Sequence, residues 1–231
     1  MALKFFGIES GYGDEHTSAY FVSNDNELVL IDCPISTFNK LKHMDLSIYE
    51  NIYILITHAH ADHIGGLTLF IQYAYFNLNL KINVVSPVEL LSDILTLFII
   101  QGCDSNWANV ISTENLINQT WFANYISTFH APQLVGKCFG YHFIIDNKNV
   151  IYTGDTTTLE PFEPYLIEDS ILYVDTSVND NIVHLSLKNS LNDFAQLNKK
   201  GIKVFLMHID DIENAENLVA NYPDINLIST S

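Results

Sequence analysis

The order of apolar and polar positions predicts that β-strands and α-helices alternate along most of the chain. Short apolar runs rich in β-branched and aromatic residues are separated by turn clusters such as residues 11–14 and 23–26, which is typical of strands. The first three runs have no helical segment between them, and this indicates an antiparallel β opening. The predicted strands span residues 3–8, 17–22, 27–31, 52–56, 81–86, 121–129, 140–146, 150–153, 171–174, 202–207 and 225–228.

Other segments have apolar residues at helical spacing and carry residues that favour helix termini. Ser36 is expected to cap a helix, Pro87 suits a first turn, and Gly201 should follow a helix end. Residues 101–118 show little periodicity. The predicted helices span residues 36–44, 64–76, 87–100, 186–199 and 211–221. Because two β-rich halves are each followed by helices, the pattern predicts an α+β fold, an αββα sandwich of two face-packed sheets with helices outside.

A strand-to-helix loop at residues 57–67 contains three histidines and one aspartate in six consecutive positions, His-Ala-His-Ala-Asp-His at residues 58–63. Imidazoles and carboxylates bind Zn²⁺ and similar ions, so this density implies a metal site. Similar side chains directly follow other predicted strands, whereas chance would scatter histidines over helices and turns as well. The candidates at strand ends are His58, His60, Asp62, His63, His130, Asp155 and His208.

Length, cysteine usage and the distribution of apolar residues indicate a single cytoplasmic domain. The 231 residues are 48% hydrophobic and contain no long low-complexity tract, so one domain over residues 1–231 is the simplest organisation. Cys33, Cys103 and Cys138 are odd in number and scattered, as is typical of reduced thiols. The N-terminal residues lack the pattern of a signal peptide, and the longest apolar stretch, residues 88–100, is shorter than the roughly 20 residues that span a bilayer.

The charge of the chain limits the size of its anionic partners. The sequence has 10 Lys and Arg residues against 27 Asp and Glu residues, which gives a formal net charge of −17. Such a surface repels polyanions over distances comparable with the Debye length, so long nucleic acid is a disfavoured partner. Bound divalent cations reverse the sign of the charge locally, and a small anion can therefore still bind at a metal site.

The candidate set resembles the metallo-β-lactamase superfamily, whose His-x-His-x-Asp-His signature is intact at residues 58–63. The similarity covers nearly the whole chain, from Asp32 at an early strand end, through His130 and the Gly-Asp pair that ends at Asp155, to His208. It implies the metallo-β-lactamase fold and two divalent metal ions. Zn²⁺ is the expected ion, with Mn²⁺ and Fe²⁺ as alternatives.

The resemblance also implies how the ligands divide between the two ions. One ion would be bound by His58, His60 and His130, the other by Asp62, His63 and His208, and Asp155 would bridge the two. A hydroxide shared by such a pair of ions is the implied nucleophile. Asp62 is further expected to orient this hydroxide, and Asp32 to accept a hydrogen bond from a ligand imidazole.

Within the superfamily, residues 174–187 and 203–209 resemble the phosphodiesterase branch formed by tRNase Z and its smaller relatives. In that branch an acidic residue pairs with the histidine of a His-Ser-Thr-like motif, and Asp175 and His184 occupy those places. The resemblance implies that His184, held by Asp175, protonates the leaving oxygen. The chain departs from the pattern in that its motif reads His-Leu-Ser and its acidic residue is Asp where the family more often has Glu.

A second departure concerns the substrate. Long-armed tRNase Z proteins insert a basic, Gly-rich arm before the Gly-Asp pair, whereas this chain runs from residue 140 through one hairpin to Asp155. Together with the charge of −17, the missing arm favours a small phosphodiester, with cyclic nucleotides as the leading class. The expected function is thus a metal-dependent cyclic-nucleotide phosphodiesterase, and a homodimer is compatible with the resemblance.

Three alternative functions remain open. A tRNA 3′-processing endonuclease would need another means of gripping tRNA than the missing arm. A thioester or lactone hydrolase of the glyoxalase II kind is a second enzymatic alternative, and carbonyl chemistry with a good leaving group would not require His184. A non-catalytic metal-binding module would usually have lost a ligand, whereas the ligand set here is complete.

Several histidine and aromatic residues have no motif around them. His16, His43 and His142 are therefore expected to be ordinary surface or buried histidines. Tyr12, Trp107 and Trp121 have the ring types that stack on nucleobases. Because aromatic residues are buried readily in any core, we expect these three to pack inside the protein instead.

Overall fold

A computed structural model describes residues 2–179 and 181–228. Its strands are Lys4–Gly7 (β1), Ser18–Val22 (β2), Glu27–Ile31 (β3), Asn51–Leu55 (β4), Ile82–Ser86 (β5), Ala108–Ser112 (β6), Phe122–Ser127 (β7), Phe139–Ile145 (β8), Lys148–Tyr152 (β9), Ile171–Asp175 (β10), Lys203–Met207 (β11) and Ile225–Leu227 (β12). Its α-helices are Ile35–Leu41 (α1), Ala61–Ile64 (α2), Leu67–Leu78 (α3), Val88–Ile100 (α4), Leu187–Lys199 (α5) and Ile212–Val219 (α6).

Each half of the chain forms one six-stranded sheet. The strand order is β1-β2-β3-β4-β5-β6 in the first sheet and β12-β11-β10-β9-β8-β7 in the second. Both sheets are mixed, because the first three strands of each half pair antiparallel and the following strands pair parallel. The predicted α+β sandwich is therefore confirmed, including its antiparallel opening.

Apolar side chains form three layers, one between the two sheets and one between each sheet and its helices. In β3, whose five residues are all buried, Leu28 and Leu30 belong to the cluster that contains Phe70 of α3. The intervening Val29 belongs instead to the cluster between the sheets, with Tyr141 of β8. A third cluster joins β10 and β11 to α5 and α6. Because both faces of the central strands are covered, these strands are continuously apolar rather than alternating.

Two helix predictions were wrong at their starts, and the reasons lie in tertiary contacts. Ser36 lies inside α1 rather than capping it, because the extended Pro34 already precedes the first helical residue. The predicted helix over residues 64–76 is two helices, α2 and α3. The helix is interrupted at Gly66, whose N–H donates to the Cys33 carbonyl at 2.9 Å. A Cβ at this position would lie 2.5 Å from the Pro34 carbonyl oxygen, so the close approach needs glycine.

The sequence pattern missed one strand, β6, in the segment that shows little periodicity. This strand pairs parallel with β5 at the edge of the first sheet, and most of its residues are partly exposed. An edge strand with one neighbour and incomplete burial needs no strict alternation, so its sequence carries a weak signal.

The cysteines agree with the expectation of reduced thiols. All three lie in described parts of the chain, are buried and are free. Burial raises the pKa of the Cys103 thiol to about 11 and that of the Cys138 thiol to about 12. Across residues 2–179 and 181–228, no helix has the length and apolar character needed to cross a membrane.

Candidate metal centre

The seven ligand candidates meet at one edge of the sandwich. His58 and His60 follow β4, Asp62 and His63 lie in α2, and His130, Asp155 and His208 follow β7, β9 and β11. Asp155 is preceded by Gly154, which has a φ of 59° and would bring a Cβ within 2.6 Å of the Phe139 carbonyl oxygen. Glycine is required at such a position, because any side chain would be both strained and blocked.

The first group of ligand atoms consists of three imidazole nitrogens and one carboxylate oxygen. His60 Nδ1 lies 3.0 Å from His58 Nε2 and 3.2 Å from His130 Nε2. Asp155 Oδ2 lies 3.6 Å from His130 Nε2 and 3.8 Å from His58 Nε2. Ligand atoms around one tetrahedral Zn²⁺ are about 3.3 Å apart, given Zn–N bonds of about 2.0 Å. The four groups are therefore spaced as the ligands of one such ion would be.

The second group combines two carboxylates with two imidazoles. Asp62 Oδ2 lies 3.4 Å from both His63 Nε2 and His208 Nε2. Asp155 reaches this group as well, with Oδ1 at 3.3 Å from His63 Nε2 and Oδ2 at 3.6 Å from His208 Nε2. Asp155 thus lies between the two groups.

The fit of a cation can be tested on the buried polar atoms of the site. His63 Nε2 is buried and has no hydrogen-bond partner among the residues that the structure describes, although three carboxylate and imidazole side chains surround it. A buried polar atom without a partner is costly, and metal coordination removes that cost. The donor set of imidazoles and carboxylates suits Zn²⁺ and similar divalent ions. The residues therefore fit a metal ion in each group.

Asp32 and Thr57 contact the Nδ1 atoms of His63 and His58, on the side of each ring away from the other ligand candidates. Asp32 Oδ2 lies 2.8 Å from His63 Nδ1, and the same carboxylate accepts hydrogen bonds from the Thr57 N–H at 2.8 Å and hydroxyl at 2.7 Å. The Thr57 oxygen in turn lies 3.1 Å from His58 Nδ1. With both Nδ1 atoms engaged, His58 and His63 present Nε2 to the site. Burial raises the pKa of the Asp32 carboxyl, and His63 opposes that rise.

The carboxylates and imidazoles strongly perturb each other's protonation. Burial acts to raise the pKa of the Asp155 carboxyl, but His208 and His63 hold it well below its usual range. Burial acts to lower the pKa of His63, but Asp155 and Asp32 raise it well above its usual range. The pKa of His208 is raised to about 10 against the effect of burial, chiefly by Asp155. The site therefore strongly favours positive charge, and metal ions compete with protons for these nitrogens.

Asp175 and His184 form the pair that the sequence pattern predicts. His184 Nδ1 lies 2.9 Å from Asp175 Oδ2, and the same oxygen accepts a hydrogen bond from the Thr156 N–H at 2.9 Å. Asp175 is fully buried, whereas the side chain of His184 is 18% exposed. Burial acts to lower the pKa of His184, but Asp175 outweighs it and raises that pKa. Asp175 Oδ1 also lies 3.2 Å from His208 Nδ1, so this carboxylate links the predicted acid to a predicted ligand.

The site opens into a cleft of about 830 Å³. Five of the seven ligand candidates and His184 line it, and its lining also includes Tyr12, Ile35 and Val183. The five candidates are His60, Asp62, His130, Asp155 and His208. Tyr12 is fully exposed, so the expectation that it packs in the core was wrong. It lies in a loop between two glycines, which accounts for its lack of packing partners. Trp121, in contrast, is buried as expected.

Sequence reasoning missed several cleft residues because no motif marks them. His16 lines the cleft, whereas His142 lies in the β8–β9 hairpin with Nε2 2.9 Å from Asn149 Oδ1. Trp107 packs against the ring of Phe76, with 4.9 Å between the ring centroids. The remaining cleft residues that the pattern did not single out include Ser10, Gly11, Ser177, Asn181 and Asp210.

Solved structures of metallo-β-lactamase fold proteins superpose on nearly the whole chain. The metallo-β-lactamase fold protein YhfI from Bacillus subtilis matches with a TM-score of 0.74 and 15% identity, covering 99% of this chain and 96% of that one. The short form of human tRNase Z matches with a TM-score of 0.68 and 17% identity, covering 99% and 96%. A diphosphatase from the PhnP family matches with a TM-score of 0.73 and 16% identity, covering 99% and 95%. These likenesses confirm the metallo-β-lactamase fold.

Sequence comparison gives relatives that span the same length. The anti-Pycsar protein Apyc1 of Bacillus phage BSP38 is 29% identical, covering 90% of this chain and 89% of the relative. The protein of the same name from Bacillus phage vB_BveM-Goe7 is 27% identical, covering 94% and 91%. Within the described residues, the assembled imidazoles and carboxylates form groups that could each hold a metal ion. A family model described as anti-Pycsar protein Apyc1 matches residues 1–228, and the chain therefore belongs to the Apyc1 family of anti-Pycsar proteins.

Proposed function

We propose that this protein is a two-metal phosphodiesterase that hydrolyses a cyclic nucleotide. This hydrolysis would be its means of counteracting Pycsar, the action that the name of its relatives gives for them. The observation that carries this proposal is the Asp175–His184 pair beside the two ligand groups. A ribose alkoxide is a poor leaving group and needs a proton, whereas a thiolate leaves without one. The pair therefore favours a phosphodiester substrate over a thioester.

We assign the ligands as the resemblance implies. His58, His60 and His130 would hold one ion, Asp62, His63 and His208 the other, and Asp155 would contribute to both. Bound there, the two cations would supply Lewis acidity toward the phosphate and lower the pKa of a water molecule. Asp62, which lines the cleft, would accept a hydrogen bond from the attacking water.

The proton for the leaving oxygen comes from His184. Its Nδ1 faces the Asp175 carboxylate, so the orientation of the ring is fixed and Nε2 remains for the substrate. The P–O bond to the ribose oxygen breaks as the proton moves from Nε2 to that oxygen, and the oxygen leaves as a hydroxyl group. Asp175 stabilises the imidazolium before this transfer.

The distribution of positive charge supports a small substrate. The sequence contains no arginine, the residue that contacts phosphates in a bidentate manner. Among the described residues, neither lysine nor arginine lines the cleft. One phosphodiester charge would be balanced by two bound cations and His184, whereas the further phosphates of a long nucleic acid would meet a chain of net charge −17.

A substrate panel tests the proposed function. The protein, supplied with Zn²⁺ or Mn²⁺, is incubated with 2′,3′- and 3′,5′-cyclic nucleotides, short cyclic oligonucleotides, precursor tRNA and a glutathione thioester, and the products are identified by mass spectrometry. We expect linear nucleoside monophosphates from at least one cyclic mononucleotide. Cleavage of precursor tRNA or of the thioester, with every cyclic nucleotide left intact, would replace this proposal by the corresponding alternative. Absence of bound metal and of any hydrolysis would favour a non-catalytic module.

Replacing Tyr12 with alanine should weaken substrate binding without impairing the chemical step. Tyr12 is the exposed aromatic residue at the cleft rim, and stacking of a base on an aromatic ring contributes about 1–3 kcal/mol. The KM for the cyclic nucleotide should therefore rise by about 5- to 150-fold while kcat stays within about twofold. Steady-state kinetics measure both values. Tyr75→Ala on α3 is the matched control, because Tyr75 is also exposed but packs near Trp107 outside the cleft. An unchanged KM in Tyr12→Ala would exclude stacking.

A further inference from the structure

Asp210 lies just beyond β11, two residues after His208, and its carboxylate is surrounded by donors from another segment. Asp210 Oδ2 accepts hydrogen bonds from the Asn179 side-chain amide at 2.9 Å and N–H at 3.2 Å. It also lies 2.7 Å from the Ser177 hydroxyl, whose single proton it shares with the Asn179 carbonyl oxygen at 2.6 Å. Asp210 Oδ1 accepts from the Val178 N–H at 2.7 Å. An exposed carboxylate is ordinarily hydrated, but both oxygens of Asp210 face donors from residues 177–179. These residues begin the segment that leads to His184.

Asn181 continues this network to His184 itself. The Asn181 side-chain amide donates to Ser177 Oγ at 2.8 Å. Its carbonyl oxygen accepts from the N–H groups of Val183 at 3.0 Å and His184 at 2.8 Å. The backbone at His184 is thus connected to Asp210 through two side chains, Ser177 and Asn181.

The same segment also orients a predicted metal ligand. His130 Nδ1 lies 2.6 Å from the Val183 carbonyl oxygen, so its Nε2 is left for the first ligand group. The far end of the segment is fixed by backbone hydrogen bonds from Ser177 N–H to the Leu185 carbonyl and from Leu187 N–H to the Ser177 carbonyl, both at 2.9 Å. The two ends of the segment therefore meet at Ser177. The hydroxyl of this residue also faces the Asp210 carboxylate.

We propose that Asp210 is a positioning residue that acts through Ser177 and Asn181 to keep His184 against Asp175, with its Nε2 directed to the leaving oxygen. This inference rests on the proposed function of His184 as the acid. The charge of Asp210 matters because four donors converge on it, and a neutral amide oxygen accepts fewer and weaker hydrogen bonds. The end of β11 thus supplies both a ligand and the support for the acid.

Asp210→Asn tests the proposal with two substrates that differ in their need for a proton. A cyclic nucleotide expels an alkoxide, whereas bis(p-nitrophenyl) phosphate expels a phenolate that leaves without a proton. We expect kcat for the cyclic nucleotide to fall by about ten- to a hundredfold and kcat for bis(p-nitrophenyl) phosphate to change by less than about threefold. Rates are compared at equal metal content per chain, because the same segment contacts His130. In a His184→Ala background, Asp210→Asn should have no further effect on the cyclic nucleotide.

Asp211→Asn is the matched control, because it makes the same charge change at the next residue. Asp211 caps α6 by accepting from the Asn214 N–H at 3.0 Å, and its substitution should leave both activities unchanged. Asn181→Ala interrupts the same network at a second place and should give the same substrate-dependent loss as Asp210→Asn. An equal loss on both substrates, or no loss in Asp210→Asn, would overturn the proposal.

A readout that does not depend on turnover separates this proposal from the proposed function. In the metal-loaded protein, the Nδ1–H proton of His184 should give a downfield NMR resonance, identified by its absence in His184→Ala. Asp210→Asn should shift or broaden this resonance, whereas Asp211→Asn should not. An unchanged resonance in Asp210→Asn would overturn the positioning role even if no cyclic nucleotide is a substrate. A changed resonance supports it whatever the substrate is.

Discussion

Asp155→Asn is expected to lower phosphodiester turnover by about 10³-fold or more, because the effect of a bound cation on the transition state amounts to several kcal/mol. Asp155 is the residue whose two carboxylate oxygens face both ligand groups, within 3.3 Å of His63 Nε2 and 3.6 Å of His130 Nε2. Asparagine keeps the shape but removes the negative charge and turns an amide NH₂ group toward the imidazoles. Elemental analysis should show fewer metal ions per chain than in the unmodified protein.

The control for this substitution is Asp193→Asn on the exposed side of α5, which removes the same charge far from the ligands. It should leave both metal content and turnover unchanged. If Asp155→Asn retained full metal content and turnover, the assignment of Asp155 to both ions would be wrong.

His184→Ala is expected to act selectively on substrates with poor leaving groups. Loss of a positioned general acid typically costs about 10²–10⁴ in rate, so kcat for the cyclic nucleotide should fall by that factor. For bis(p-nitrophenyl) phosphate the fall should stay below about tenfold, since its leaving group needs little protonation. Metal content should be unchanged, because His184 is not among the proposed ligands. Steady-state kinetics on the two substrates and elemental analysis test these expectations together.

The control histidine is His142, which bonds to Asn149 in the β8–β9 hairpin and lies outside the cleft. His142→Ala should behave like the unmodified protein on both substrates. Should His184→Ala slow both phosphodiesters equally, His184 would have another role, such as binding the phosphate.

The proximity of the seven ligand candidates could be predicted from sequence because five of them directly follow strands and the other two, Asp62 and His63, lie in the short helix α2 just after β4. His58 to His63 form a contiguous signature. His208 directly follows β11, in which one lysine precedes four apolar residues. The pairing of Asp175 with His184 was also predictable, although the described residues between them, 176–179 and 181–183, form no helix or strand. Asp175 ends β10 and the ligand candidates follow strands or lie in α2, so regular structure, which sequence patterns describe well, places these residues, whereas a loop carries His184.

Other parts of the site depend on loop conformation, which the sequence pattern does not encode. Asp210 has no motif, and its role becomes visible only when its four donors are seen around it. Tyr12 is of a residue type that is common in protein cores, but it lies in an exposed loop and its side chain is exposed. The break before α3 arises because Gly66 approaches the Pro34 carbonyl, a contact between segments that are far apart in sequence.

The proposed ligands come from both sheets, with His58 and His60 following a strand of the first and His130 and Asp155 following strands of the second. A cation bound by such a set ties together the two halves of the chain, and unfolding must release it. By thermodynamic linkage, a site at a hundredfold excess of free metal over its Kd adds about 2.7 kcal/mol to the free energy of unfolding. The resistance of this protein to heat and proteolysis would then follow the supply of metal in its surroundings.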